Sequence, residues 1–203
     1  MFIFSIDRNV NRIRYSLTIM VFALWQLSCK PSLENMEKID SFMIVGISVE
    51  TTNKNGKSAV DLGKLWERFY SENISSKILN KQSEDVYSIY TDYETDYTGK
   101  YTAIIGIKVN SLDQIPYGLI GREFNGGKYR KFTAKGQMPH AVIDTWKEIW
   151  ASDKKLDRNY SADFEVYGQK SQNGENSEVE IYIGLAEKVT GVPYTSGQSE
   201  DVL

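Results

Sequence analysis

Residues 86–109 read VYSIYTDYETDYTGKYTAIIGIKV, and the fold is decided here. The runs 86–93 and 100–109 are rich in Val, Ile, Tyr and Thr, residues that suit a pleated, half-buried surface. Between them, 95–99 collects turn formers, so the pair predicts an antiparallel hairpin. Toward the N-terminus, 42–50 (FMIVGISVE) predicts a strand and 51–58 a polar loop. A helix follows over 59–70, because Leu62, Leu65, Trp66 and Phe69 recur at helical spacing. Toward the C-terminus, 129–134 predicts a strand, 139–150 a helix, and 163–168 and 178–185 two further strands, the last two separated by a loop of Gly, Asn and Ser.

Strand, helix, strand, strand thus occurs twice. Trp66 and Trp146 lie 80 residues apart, Tyr90 and Tyr167 lie 77 apart, and Gly106 and Gly184 lie 78 apart, which points to a tandem duplication. The expected fold is α+β. Tandem pseudo-symmetric β-α-β-β repeats form an antiparallel sheet with two helices on one face and a central cleft, a favoured place for a ligand.

Composition removes several kinds of chemistry. One Cys and one His among 203 residues cannot build a Cys/His zinc site or a disulfide framework. A net charge of −3, from 24 Lys+Arg against 27 Asp+Glu, argues against a nucleic-acid partner, which demands a basic face. No cofactor and no metal is expected. Gly56-Lys57-Ser58 resembles the end of a phosphate-binding loop, but Thr51 stands where that pattern needs Gly, so a polar turn with Ser58 as N-cap is expected. His140 opens a helix with no Gly-x-Ser-x-Gly elbow to serve, and Asp92, Glu94 and Asp96 read as a solvated turn. The excess lies in thirteen Tyr, eight Phe and four Trp, which must line a core or a pocket.

The first residues read as an address. Arg8, Arg12 and Arg14 precede the apolar run 17–27, which Ser28-Cys29-Lys30 closes, the layout of a secretory signal. Its 11 residues fall well short of the about 20 that a spanning helix needs. With the chain's single cysteine at the end of the run, the segment resembles a bacterial lipoprotein signal. That resemblance implies that Cys29 becomes the lipidated first residue and holds the protein at the cell envelope, on the periplasmic face or outer surface. The other reading is a chance hydrophobic start with an inert cysteine. The expected organisation is a signal peptide over 1–28, a tether over 29–40, a binding domain over 41–189 and a flexible tail over 190–203.

The segment 86–109, together with IPYGL at 115–119, GGKYRKFTAKG at 126–136, the pair Trp146 and Trp150, and DFEVY at 163–167, resembles the GyrI-like, or AraC-type, effector-binding domain. The resemblance spans 42–185 and implies a duplicated α+β fold with an aromatic cleft for small molecules. Many members are fused to a DNA-binding helix-turn-helix, and no segment here is expected to supply one.

In 163–167, alternation sets Phe164 and Val166 on one face and Asp163, Glu165 and Tyr167 on the other. If Phe164 and Val166 pack under the second helix, Glu165 faces the cleft beside Tyr167, with Ser88 and Tyr90 in the equivalent places of the first repeat. A carboxylate among aromatic rings suits a lipophilic cation; the family resemblance implies the same central acidic role for Glu165. Trp150 at the helix end is assigned to the cleft, and Trp146 to the core. Tyr129 and Phe132 differ in parity, so one at most faces the ligand, and the reading assigns Tyr129. The functional expectation is a lipid-anchored, non-enzymatic protein that captures cationic or amphipathic aromatic molecules. The alternative is a hydrolase of strained electrophiles in which Glu165 activates water, and a third reading is a partner-binding scaffold with no small-molecule ligand.

Overall fold

The structure, a computed structural model, describes residues 36–187. The segments expected to be a signal peptide and a tail, and Cys29, lie outside the described residues. In order, the elements are β1 (Met36–Ile39), β2 (Phe42–Thr52), α1 (Lys57–Ser71), α2 (Ile74–Lys77), β3 (Lys81–Thr91), β4 (Lys100–Val109) and β5 (Ile120–Phe124), then β6 (Gly127–Lys135), α3 (His140–Ala151), α4 (Asp153–Leu156), β7 (Ala162–Tyr167) and β8 (Glu178–Gly184). The hairpin of 86–109 is β3 and β4, joined in register from Val86↔Ile107 to Thr91↔Thr102.

All strands join one antiparallel sheet in the order β1-β6-β8-β7-β3-β4-β2-β5. The repeats meet at its centre, where β3 pairs with β7 and Ser88 lies opposite Glu165. These are repeat equivalents, 77 residues apart, so the pseudo-twofold axis passes between them.

Two strands were not expected from the sequence. Met36–Ile39, assigned to the tether, pairs with β6 as β1, and Ile120–Phe124 pairs with β2 as β5. Each precedes the first long strand of its own repeat and adds to the edge of the other repeat. Only Asp40 and Ser41 link β1 to β2, which stands six places away in the sheet. In a flat sheet that separation is about 29 Å at roughly 4.8 Å per strand, whereas a two-residue link reaches about 10 Å. The sheet must therefore curl until its edges approach, and it forms a half-barrel. The links meet where the curl closes: a Cβ on Gly126 would stand 2.3 Å from the carbonyl oxygen of Ile39.

The curl separates three packed regions. Its inner face holds Phe42, Ile44, Phe124, Tyr129, Phe164 and Tyr182, with Phe164 stacked on Tyr182 at 4.8 Å. On the outer face, Leu65 and Phe69 of α1 pack on Ile105 and Ile107, while Val142 and Ile149 of α3 pack on Ile181 and Ile183. Phe164 and Val166 thus belong to the inner face, not beneath α3 as the sequence reading has it. Glu165 keeps its expected parity, but the face it shares with Asp163 and Tyr167 is the one the helices cover. Ser58 lies inside α1 and does not cap it; the N-cap is Gly56, at φ 70°.

Candidate functional site

The helices cover their own halves and leave a cavity between them over the central strands, with a volume of about 750 Å³. That volume suits a drug-sized molecule. Its floor is Tyr90, Glu165 and Tyr167 from β3 and β7. Trp66 and Tyr70 of α1 wall one side and Trp146 and Trp150 of α3 the other.

Among the described residues, Glu165 is the one charged side chain lining the cavity, and it is only 2% exposed. Its Oε1 accepts from the indole N–H of Trp146 at 2.5 Å and the hydroxyl of Tyr90 at 2.9 Å, while Oε2 accepts from Tyr167 at 2.7 Å. Ser88, opposite on β3, donates to the Tyr90 oxygen at 3.1 Å. Burial raises the carboxyl above its usual range, although all these donors favour the ionised form. Tyr90 and Tyr167 are pushed well above the ordinary phenol value, first by burial and then by the adjacent carboxylate, so both remain donors.

The rings form a connected wall. Trp66 meets Tyr167 edge-on at 5.0 Å and stacks on Tyr70 at 5.7 Å. Tyr90 meets Trp146 edge-on at 5.3 Å, and Trp150 stacks against Tyr97 of the β3–β4 turn at 5.7 Å and 11°. The Tyr97 carbonyl accepts from Asn53, whose side-chain oxygen accepts from Tyr101, so one end of the cavity is polar. Edge-to-face and stacked rings of this kind present π faces and a few fixed polar atoms to the interior.

Of the residues proposed from sequence, Glu165, Tyr167, Tyr90 and Trp150 converge here. Tyr129 does not: it is 2% exposed on the inner face, edge-on to Phe164 at 5.2 Å, with the sheet between it and Glu165. The parity of β6 sends Tyr129 to that face and Phe132 toward α3. Trp146, assigned to the core, lines the cavity and gives Glu165 its shortest hydrogen bond. The repeat could have indicated this, since Trp66 is its equivalent and also lines the cavity, and a buried indole N–H needs an acceptor. Tyr93, Tyr97 and Tyr101 were not foreseen. The decoys behave as polar surface: Asp92 pairs with Arg122, Asp96 accepts from Thr98, and His140 is exposed. No group of three or more His, Cys, Asp or Glu that could hold a metal occurs among the described residues.

The family model for the integron-associated effector-binding protein, Cass2, matches residues 35–185. The chain belongs to that family. An integron cassette protein of Vibrio cholerae from this family is 31% identical in its solved structure, over 75% of this chain and 95% of its own, with a TM-score of 0.58. The Bacillus subtilis protein YobU is 29% identical over 124 residues, 60% of this chain and 77% of its own. SAV2435, solved with tetraphenylphosphonium bound, shares the fold at 20% identity and a TM-score of 0.63, over 74% of this chain and 92% of its own. Membership of this effector-binding family makes the protein a small-molecule-binding one.

Proposed function

We propose that the protein captures cationic or amphipathic aromatic molecules in the cavity between α1 and α3, with Glu165 as counter-ion and the Trp and Tyr rings as walls. The observation that carries this reading is a lone carboxylate, 2% exposed, at the floor of an aromatic cavity. Taking a carboxylate out of water is costly unless an opposite charge or hydrogen bonds compensate. Three aromatic donors hold Glu165 in place, yet burial still raises its carboxyl, so a bound cation would complete the compensation. Rings add attraction through their quadrupoles, worth from about 0.5 kcal/mol at exposed sites to about 2 kcal/mol when desolvated. That SAV2435 holds tetraphenylphosphonium on the same fold supports the reading.

The direct test is the affinity of wild type and Glu165→Gln for tetraphenylphosphonium, measured by calorimetry. The substitution preserves shape, keeps one accepting oxygen and removes the charge, so affinity should fall about 10- to 100-fold, roughly 1.4–2.7 kcal/mol. An unchanged affinity would remove the carboxylate from the account. An aryl epoxide, a strained electrophile, should be lost no faster with the protein than in buffer alone; faster conversion to the diol would favour hydrolysis over capture.

We place this binding at the cell envelope through lipidation of Cys29, on the strength of Arg8, Arg12, Arg14 and the apolar run ending at Ser28. The full chain should sediment with membranes in a bacterial host and Cys29→Ser should not. Equal partitioning of the two would remove the anchor from the proposal.

A further inference from the structure

Asp163 stands two residues before Glu165 on β7, on the same face of the sheet, about 7 Å along the strand. Its side chain is 0% exposed and is not part of the cavity lining, so a second buried carboxylate lies behind the floor that Glu165 forms. They are treated differently. Oδ2 of Asp163 accepts from the Tyr93 hydroxyl at 2.8 Å and from Nη2 of Arg158 at 2.5 Å, and Oδ1 accepts from the backbone N–H of Gly184 at 2.9 Å. The Arg158 side chain is itself 1% exposed and spans outward to Asp153 at 2.8 Å, with its guanidinium 4.3 Å over the Tyr160 ring. The Tyr93 ring lines the cavity in front of this pair. Glu165 has only neutral donors.

We propose that Arg158 sets the charge of the ligand: it occupies the second acidic position as a fixed counter-ion, so the cavity offers one uncompensated carboxylate and selects monocations over dications. This rests on the reading of the cavity as a cation site. The desolvation cost of an ion rises with the square of its charge, whereas its attraction to one carboxylate rises only linearly. A dication with the same rings carries one charge on each ring, so it meets more than twice the desolvation cost, while its second charge lies farther from the one carboxylate and gains less than the first. Were Asp163 unpaired, the second charge would have a partner within reach of the first. Arg158 removes that partner from behind the cavity without touching the ligand.

The test uses N-methyl-4-phenylpyridinium and 1,1′-dimethyl-4,4′-bipyridinium, which share a two-ring frame and differ by one positive charge. On the full chain, calorimetry should show the monocation binding at least tenfold more tightly. Equal affinity, or a tighter dication, overturns the proposal. Binding of neither overturns it too, and tetraphenylphosphonium titrated alongside tells whether the cation reading fell with it. Arg158→Gln should shift the ratio toward the dication by tenfold or more, and Arg158→Gln combined with Asp163→Asn should restore the monocation preference. A purely structural Arg158 would weaken both ligands alike and leave the ratio unmoved, which would overturn its assigned role. The wild-type ratio stands as a test even if the single variant fails to fold.

Discussion

Glu165 is held between opposing effects, and its titration should show which prevails. Burial raises the carboxyl, while Trp146, Tyr167, Tyr90 and Ser88 lower it, and burial wins. A folded value above the unfolded one, about 4.3, means that the folded state binds more protons between the two. The free protein should therefore lose stability as pH climbs from the unfolded value through the folded one, and Glu165→Gln should flatten that slope in denaturant titrations. A bound cation favours the carboxylate, so binding should release protons, visible at pH 5 as a dependence of calorimetric heat on the buffer's ionisation enthalpy. Buffer-independent heats would contradict the account. The parity of Glu165 was legible because alternation in DFEVY fixes which residues share a face. The donor role of Trp146 was not, because a helix face that packs on a sheet reads the same whether the sheet beneath is core or cavity floor.

At the scale of an element, α1 combines helix and cavity wall, and Gly63 is where these demands separate. A Cβ added there meets nothing within 4 Å, and the residue lines the cavity. Gly63→Ala should stabilise α1 by about 0.5–1 kcal/mol, since Gly is poor in a helix interior. It should at the same time weaken tetraphenylphosphonium binding by narrowing the cavity, and denaturant midpoints with calorimetry on one preparation read both. Greater stability with unchanged affinity would mean that the ligand does not reach α1. The long strands and both long helices were legible because each carries its period over many residues. The edge strands β1 and β5 were not, since MEKI and IGREF are short, and their pairing is set by the curl of the sheet rather than by their own pattern. The same blindness put Tyr129 in the cleft: the family resemblance marked its position, but only the register of β6 against β8 shows that it faces the inner core.

At the largest scale, residues 36–187 form a duplicated sheet in which one of the two positions facing each other across the pseudo-dyad is acidic. Ser88 and Glu165 face each other across the axis, so a symmetric scaffold holds an asymmetric charge at the middle of a cavity built from both halves. The repeat offsets made that junction legible as a candidate ligand site, and the resemblance drew attention to its glutamate. The closing of the half-barrel depends on contacts between segments far apart in the chain and had no local signature. If the central claim is right, charge alone should decide between two ligands of one shape. Tetraphenylphosphonium and tetraphenylborate present the same four rings around a central positive or negative charge. Calorimetry on the wild-type chain should show binding of the cation and none of the anion at equal concentrations. Comparable affinity for both would contradict an account in which the Glu165 carboxylate selects the ligand.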